Sequence, residues 1–422
     1  REQLRMKLVV IGQGYVGLPV SMRAVDVGHD VVGLDLSDAR VSDLQNGVSY
    51  VEDISDAEVR SALDSGRFIA SKDYADAADF DVAVITVPTP LRDSLPDMRF
   101  IESAGASLAE HVRPGSTVIL ESTTYPGTTD ELLVPILEQG SGLTAGEDFY
   151  VGYSPERIDP GRKDWTFKTT PKVISGMNEA SLAKVREFYD TIIDTPVPAK
   201  GTREAELTKL MENTFRHVNI ALINELAVFA HQLNVDIWDA IQAANSKPFG
   251  FMKFTPGPGV GGHCLPVDPS YLSWAVRKDL GQTFRFVELA NDVNEHQPVY
   301  VVERAMKLLN EDRKALNGAK VALVGLAYKR DSSDLRESPS EAIVKLLHEY
   351  GADLSALDSW VHDRSWPQHV RRLNSVAELK DHDLVVVLTD HSDVDYQQIA
   401  DLGVRVFDTR NVVPASAAVT VL

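Results

Sequence analysis

Apolar and polar positions along this chain follow two different rhythms. Lys7–Ile11 is a short apolar run ending in a glycine cluster, and apolar residues at helical spacing follow from Tyr15 to about Val27. Another apolar run covers Asp30–Leu34. Others at Val82–Val87, Thr117–Leu120 and Phe149–Tyr153 are separated by helical patterns. This alternation predicts a parallel, doubly wound sheet with helices on both faces. From Arg203 to about Val235 the rhythm changes. The stretch lacks glycine and proline, and Leu207, Leu210, Met211, Phe215, Val218 and Leu222 recur at helical spacing. At about 1.5 Å of rise per residue, this helix spans roughly 50 Å. A second helical segment covers Ile237–Ala244, the loop from Lys247 to Gly262 is crowded with glycine and proline, and more helix runs to about Asn310. Near Lys320 the first rhythm restarts, with strands expected at Val321–Leu326, Ala352–Leu357, Leu384–Leu388 and Val404–Phe407 and a helix at Ser340–Tyr350.

The expected fold class is therefore α/β, with two doubly wound domains joined by a long central helix and a helical middle domain. The expected boundaries are residues 1–202, 203–312 and 313–422. A chain of 422 residues exceeds one ordinary core, which agrees with several domains. The formal net charge of -20 argues against a nucleic-acid partner, which needs a basic face, but leaves room for an anionic small molecule met by a few local cations. The apolar runs are too short to span a bilayer, so no membrane association is expected. With one cysteine no internal disulfide can form, and the cytoplasm is the expected compartment.

Gly12, Gly14 and Gly17 form G-x-G-x-x-G between a strand and a helix. The first glycine permits the turn, the second admits a pyrophosphate and the third allows close helix packing. The helix N-terminus then offers free N–H groups to phosphate. Asp35 closes the second strand, where a carboxylate accepts hydrogen bonds from ribose hydroxyls and repels a 2′-phosphate. The pattern predicts a Rossmann-like domain binding NAD rather than NADP. Arg40 either covers the adenine or is a solvated helix residue.

The segment Gly257-Pro-Gly-Val-Gly-Gly-His-Cys-Leu-Pro-Val-Asp268 delivers the sole cysteine, Cys264, to what reads as the first turn of a helix. A thiolate is stabilised there, as a nucleophile requires, and Asp268 four residues on can handle protons beside it. An isolated cysteine is otherwise most often a small buried hydrophobe. His263 is read as structural. No second cysteine or spaced histidine pair exists to hold a metal, so none is expected. Lys209 and Asn213 share one face of the long helix, where they either serve an oxyanion or simply face solvent.

These residues resemble the UDP-glucose/GDP-mannose dehydrogenase family over almost the whole chain. Beyond the glycine fingerprint, the likeness includes Val87-Pro-Thr-Pro90, Glu121-Ser-Thr-Thr-Tyr-Pro-Gly-Thr128, Ser154-Pro-Glu156, Lys209/Asn213, Gly261-Gly-His-Cys264 with Asp268, Gly325-Leu-Ala-Tyr-Lys329, Asp334-Leu-Arg-Glu-Ser-Pro339 and Asp408-Thr-Arg410. Within it, the cysteine loop is similar to that of the UDP-N-acetylhexosamine branch, and the segment from Lys247 to Gly259 to that of UDP-N-acetylglucosamine 6-dehydrogenases. The resemblance implies a four-electron oxidation of the sugar C6 hydroxyl to a carboxylate, reducing two NAD, with Cys264 as covalent nucleophile. It implies that Lys209 and Asn213 stabilise oxyanions, that Asp268 and Glu156 assist proton transfer, and that Thr123 helps hold the hydrolytic water. A salt bridge from Glu156 to a neighbour such as Arg157 is the competing reading. The family's UDP-glucose branch has a further glutamate where this chain has Pro160.

NAD contacts are implied for Gly12, Gly14, Tyr15, Val16, Gly17, Asp35, Arg40, Thr89 and Arg336. UDP-sugar contacts are implied for Phe254, Gly261, Lys329 and Arg410. The last domain lacks a full G-x-G-x-x-G and is implied to be the UDP-binding half. A homodimer through the central helix is also implied.

Overall fold

A computed structural model describes residues 5–92, 95–158, 164–262 and 267–422. The chain divides into two compact units, residues 1–212 with 278–280, and residues 213–277 with 281–422.

In the first unit, strand β1 (Lys7–Ile11) leads through the glycine loop into helix α1 (Gly17–Asp26), followed by β2 (Asp30–Leu34), β3 (Phe68–Ser71), β4 (Val82–Ile85), β5 (Thr117–Leu120) and β6 (Tyr150–Tyr153). The six strands form one parallel sheet in the order β3-β2-β1-β4-β5-β6. Side chains alternate between its faces, so Leu8 and Val10 join one apolar cluster while Val9 and Ile11 join the other. Both faces are covered, which is why these strands read as continuous apolar runs. Each fully buried aliphatic side chain contributes about 1.5–3 kcal/mol. A two-stranded parallel ribbon, β7 (Lys172–Ile174) and β8 (Pro196–Pro198), flanks helix α2 (Glu179–Ile192) in sequence.

Helix α3 (Thr202–Gln232) begins in the first unit and continues in the second. The helix after the cysteine loop is α4 (Asp268–Leu280), so Asp268 occupies its first turn; Cys264 and His263 lie outside the described residues. Helix α5 (Arg285–Glu311) follows. The second unit then repeats the architecture of the first with β9 (Lys320–Val324), helix α6 (Pro339–Glu349), β10 (Asp353–Leu357), β11 (Val370–Arg372), β12 (Leu384–Val387), β13 (Val406–Asp408) and β14 (Val419–Val421). The order β11-β10-β9-β12-β13-β14 matches that of the first sheet, and every pairing is parallel.

The doubly wound expectation holds in both halves. The strands that the hydrophobic pattern misses include β3, β11 and β14, all at sheet edges. An edge strand pairs on one side only and tolerates polar or exposed positions, such as Ile69 at 55% exposure.

Candidate active site

The loop after β1 shows why Gly12 and Gly17 must be glycines. Gly12 has φ of 95°, and a Cβ there would meet the Thr86 carbonyl at 2.8 Å. A Cβ on Gly17 would lie 1.7 Å from the Gly12 carbonyl oxygen, so the helix start packs directly on the turn. At Gly14 the nearest group to a Cβ is Arg40 Nη1 at 3.8 Å, which leaves space beside the backbone. Asp35 accepts from the Gln13 N–H (2.9 Å) and the Ser37 N–H (2.9 Å), so its carboxylate is fixed beside this loop. These residues fit a dinucleotide: an open backbone cradle for pyrophosphate and a positioned carboxylate for ribose.

Arg40, on the helix that follows β2, turns its side chain toward this loop. Its guanidinium lies 3.3 Å from Asp35 and 5.6 Å from the centre of the Tyr50 ring, while the Tyr50 hydroxyl donates to the Gln13 carbonyl (2.6 Å). Tyr15 is exposed, with Val16 beside it before α1.

The loops after β4, β5 and β6 leave the same sheet edge as the glycine loop, where ligands bind in open parallel sheets. Buried Thr89 follows β4 and donates its hydroxyl to the carbonyl of Thr123, after β5 (2.7 Å). Glu156 follows β6. Its Oε1 accepts the N–H groups of Arg157 and Ile158, both at 2.7 Å. The expected competing salt bridge to Arg157 does not form. The Arg157 guanidinium instead pairs with Glu212 (2.7 Å) and donates to the Pro171 carbonyl (2.8 Å).

What Glu156 meets instead is a buried ammonium. Lys172 Nζ lies 3.7 Å from Glu156 Oε2, 3.2 Å from Glu121 Oε1 and 3.4 Å from the Pro155 carbonyl. The Tyr189 hydroxyl donates to Glu121 Oε1. Burial pushes the Glu121 carboxyl up, opposed by Lys172 and reinforced by Glu156, and burial also pushes the Tyr189 phenol well up. Sequence reading missed Lys172 and Tyr189 because nothing local marks them. Only a lysine in an otherwise apolar strand start hinted at a partner.

Lys209 is buried on α3, one turn before Asn213. In the second unit Asn213 Nδ2 donates to Asp268 Oδ2 (2.5 Å), and Asp268 is buried at the start of α4. The glycine loop is seated by polar groups of α3 and α5. The Gly257 N–H donates to Asn224 Oδ1 (3.0 Å), Gln297 Nε2 donates to the Gly257 carbonyl (3.0 Å), and Asn224 also donates to Asn294 (3.1 Å). A signal for this ladder was available: buried amides on helix faces that are otherwise apolar. Gly261 packs so closely that a Cβ would lie 2.7 Å from both the Glu337 carbonyl and Tyr328 Cβ. Phe254 packs edge-on against Phe215 at 6.0 Å.

Lys329 and Arg410 follow β9 and β13 at the equivalent edge of the second sheet. Arg410 donates from Nε to the Leu388 carbonyl (2.7 Å), and burial pushes its guanidinium down. Arg336 is exposed and forked onto Asp334 (2.6 and 2.9 Å). In place of a full glycine fingerprint, the loop after β9 is tied down by Asp358. This buried carboxylate accepts the N–H groups of Leu326 (2.7 Å) and Ala327 (3.2 Å) and pairs with His391 Nε2 (2.9 Å). The Asp331 N–H donates to His391 Nδ1, which leaves the ring proton on Nε2, facing Asp358.

Three consecutive domain models of one family match this chain: the NAD binding domain over residues 6–193, the central domain over 203–296 and the UDP binding domain over 322–415. The chain belongs to the UDP-glucose/GDP-mannose dehydrogenase family. It is 37% identical to a UDP-N-acetyl-D-glucosamine 6-dehydrogenase of Pseudomonas aeruginosa, covering 84% of this chain and 83% of that protein. It is 34% identical to a UDP-N-acetyl-D-mannosamine dehydrogenase of Pyrococcus horikoshii, covering 92% and 90%. A solved structure of the UDP-D-ManNAc dehydrogenase of Pyrococcus horikoshii superposes with a TM-score of 0.88 at 32% identity, covering 99% and 98%.

As a member of the UDP-glucose/GDP-mannose dehydrogenase family, the chain is an NAD-dependent UDP-sugar oxidoreductase. Among the described residues, no helix is long and apolar enough to cross a membrane.

Proposed function

We infer that this enzyme oxidises the C6 hydroxyl of a UDP-N-acetylhexosamine, UDP-N-acetylglucosamine first among them, to the carboxylate. The observation that carries the reading is the Asn213–Asp268 hydrogen bond. It holds a buried carboxylate at the start of α4, four residues after the only cysteine. A two-electron dehydrogenase needs no nucleophilic cysteine with a carboxylate four residues after it.

When bound, NAD takes up the hydride in each of the two oxidations. Gly12, Gly14, Tyr15, Val16 and Gly17 would cradle it, with Asp35, Arg40, Thr89 and Arg336 completing its contacts. Lys209 and Asn213 stabilise the oxygen that loses its proton at C6. Cys264 makes the second oxidation feasible: its thiolate adds to the C6 aldehyde, and the resulting thiohemiacetal still carries the hydrogen that must leave. Asp268 exchanges the proton of the sulfur and of the adduct oxygen. Glu156 and Thr123 hold the water that cleaves the thioester and regenerates the thiol. Overall the CH2OH carbon loses four electrons and gains one oxygen from water. Phe254, Gly261, Lys329 and Arg410 would contact the UDP-sugar, the two cations suiting its diphosphate.

UDP-N-acetylmannosamine is the second reading, supported by relatives named for that substrate. A working thiolate suits a reducing compartment, which favours the cytoplasm. The exposed apolar residues along α3 support a homodimer through that helix.

Turnover of UDP-N-acetylglucosamine, UDP-N-acetylmannosamine and UDP-glucose side by side, counting NADH per sugar, tests the reading. About two NADH per UDP-N-acetylhexosamine is expected. One NADH, or a clear preference for UDP-glucose, overturns it. Cys264→Ser is expected to abolish uronate formation while NAD still binds.

A further inference from the structure

The Glu121–Lys172–Glu156–Tyr189 cluster lies wholly within the first unit and is almost closed to solvent, with side-chain exposures of 5% for Lys172, 0% for Glu121 and 10% for Glu156. Burying an ammonium and two carboxylates costs several kcal/mol unless each is paired, so such a group is unlike a surface ion pair. The pairing is uneven. Glu156 Oε1 is saturated by two backbone N–H groups, which fix one edge of the carboxylate. Glu156 Oε2 is buried, lies 3.7 Å from Lys172 Nζ, and has no hydrogen-bond partner among the described residues. That separation is beyond a hydrogen bond but well within strong Coulombic attraction at low dielectric. Oε2 therefore faces the ammonium with its lone pairs uncommitted.

We propose that Lys172 is a positioning residue for the oxidation: its ammonium holds Glu156 with Oε2 uncommitted, as the atom that takes a proton from water, and Glu121, hydrogen-bonded by Tyr189, anchors Lys172 in place. The proposal rests on the role of Glu156 given above. Lys172 Nζ is fixed from several sides, by Glu121, the Pro155 carbonyl and the ring faces of Phe167 (5.8 Å) and Tyr189 (5.4 Å). It cannot follow Glu156 into a direct hydrogen bond without leaving them. Glu121 competes for the same cation and repels Glu156, so the two carboxylates are coupled through one ammonium. The groups facing Glu156 are the Lys172 ammonium and, behind it, the Glu121 carboxyl.

The test is the pH dependence of kcat for uronate formation by the full-length enzyme on UDP-N-acetylglucosamine, with NAD affinity and thermal melting as controls for folding. Lys172→Met is expected to lower kcat about ten- to a hundredfold at neutral pH and to move the acid limb up by about one pH unit, with KM changed by less than about threefold. Lys172→Arg is expected to return the limb toward the wild-type position, which a purely structural role would not require. Glu121→Gln, nearly isosteric, removes the carboxyl that anchors Lys172 and is expected to move the limb by about half a unit or more. That variant decides the matter alone if Lys172→Met does not fold. A folded Lys172→Met with an unmoved limb, or Glu121→Gln with an unmoved limb, overturns the proposal. Glu156→Gln separates the two readings: undiminished uronate formation by this variant overturns the role of Glu156 itself, whereas its loss alongside unmoved limbs in the other variants overturns only the part assigned to Lys172.

Discussion

Asn213 and Asp268 lie 55 positions apart in sequence, yet the amide of the first donates a 2.5 Å hydrogen bond to the carboxylate of the second. A buried carboxylate that loses a donor incurs part of its desolvation cost, and an amide that loses its acceptor points into the same space.

Removing either partner should therefore affect both chemistry and stability. Asn213→Ala is expected to destabilise the enzyme by about 1–3 kcal/mol and to lower kcat at least tenfold. Asp268→Asn should lose more activity than stability, because it keeps the shape and removes the proton acceptor. Urea denaturation and steady-state kinetics on the two variants and their double mutant check this, and additive losses in kcat would show that the pair does not act as a unit.

Glu206 supplies a pH signature of the first unit. Burial pushes its carboxyl up to about 7, against donors at Thr129 (N–H 2.8 Å, hydroxyl 2.6 Å) and Gly127 (N–H 2.7 Å). The folded state thus holds a proton that the unfolded chain, with an ordinary glutamate near 4.5, has released. Stability should fall as pH rises from about 4.5 to about 7, by at most about 3 kcal/mol, and then level off. Glu206→Gln should flatten that decline, so the stability of the wild type relative to the variant falls from pH 5 to pH 8. Parallel stability profiles in urea denaturation would contradict this assignment.

The outward face of α3 bears Leu222, Leu226 and Phe229 at 52%, 43% and 50% exposure, continued by Leu233 at 73% in the turn just past the helix. Their spacing of three and four residues makes one continuous apolar stripe. If a second copy covers it, Leu222→Asp combined with Phe229→Asp should shift the enzyme to monomer in analytical ultracentrifugation at micromolar concentration. Retention of the wild-type sedimentation by a folded double variant would place the interface elsewhere.

Sequence by itself was enough for whatever depends on neighbours along the chain. Two alternating rhythms foretold both doubly wound sheets, because a strand buried on both faces must be apolar throughout. The glycines at 12, 14 and 17 foretold the dinucleotide loop, because the turn at Gly12 and the helix contact at Gly17 leave no room for a Cβ while Gly14 leaves space beside the backbone. The ordered motifs from Val87 to Arg410 placed the chain in its family. What only the tertiary structure decided lies between residues far apart in sequence. Helical spacing marked Leu222 and Met211 as apolar without revealing that their face points outward, since periodicity defines a stripe but not what covers it. Glu156 read as a lone carboxylate beside Arg157. Its actual partner, Lys172, is brought in by β7 and held by Glu121 just after β5 and Tyr189 from α2. A charge can be buried only where partners converge, and that convergence belongs to the fold.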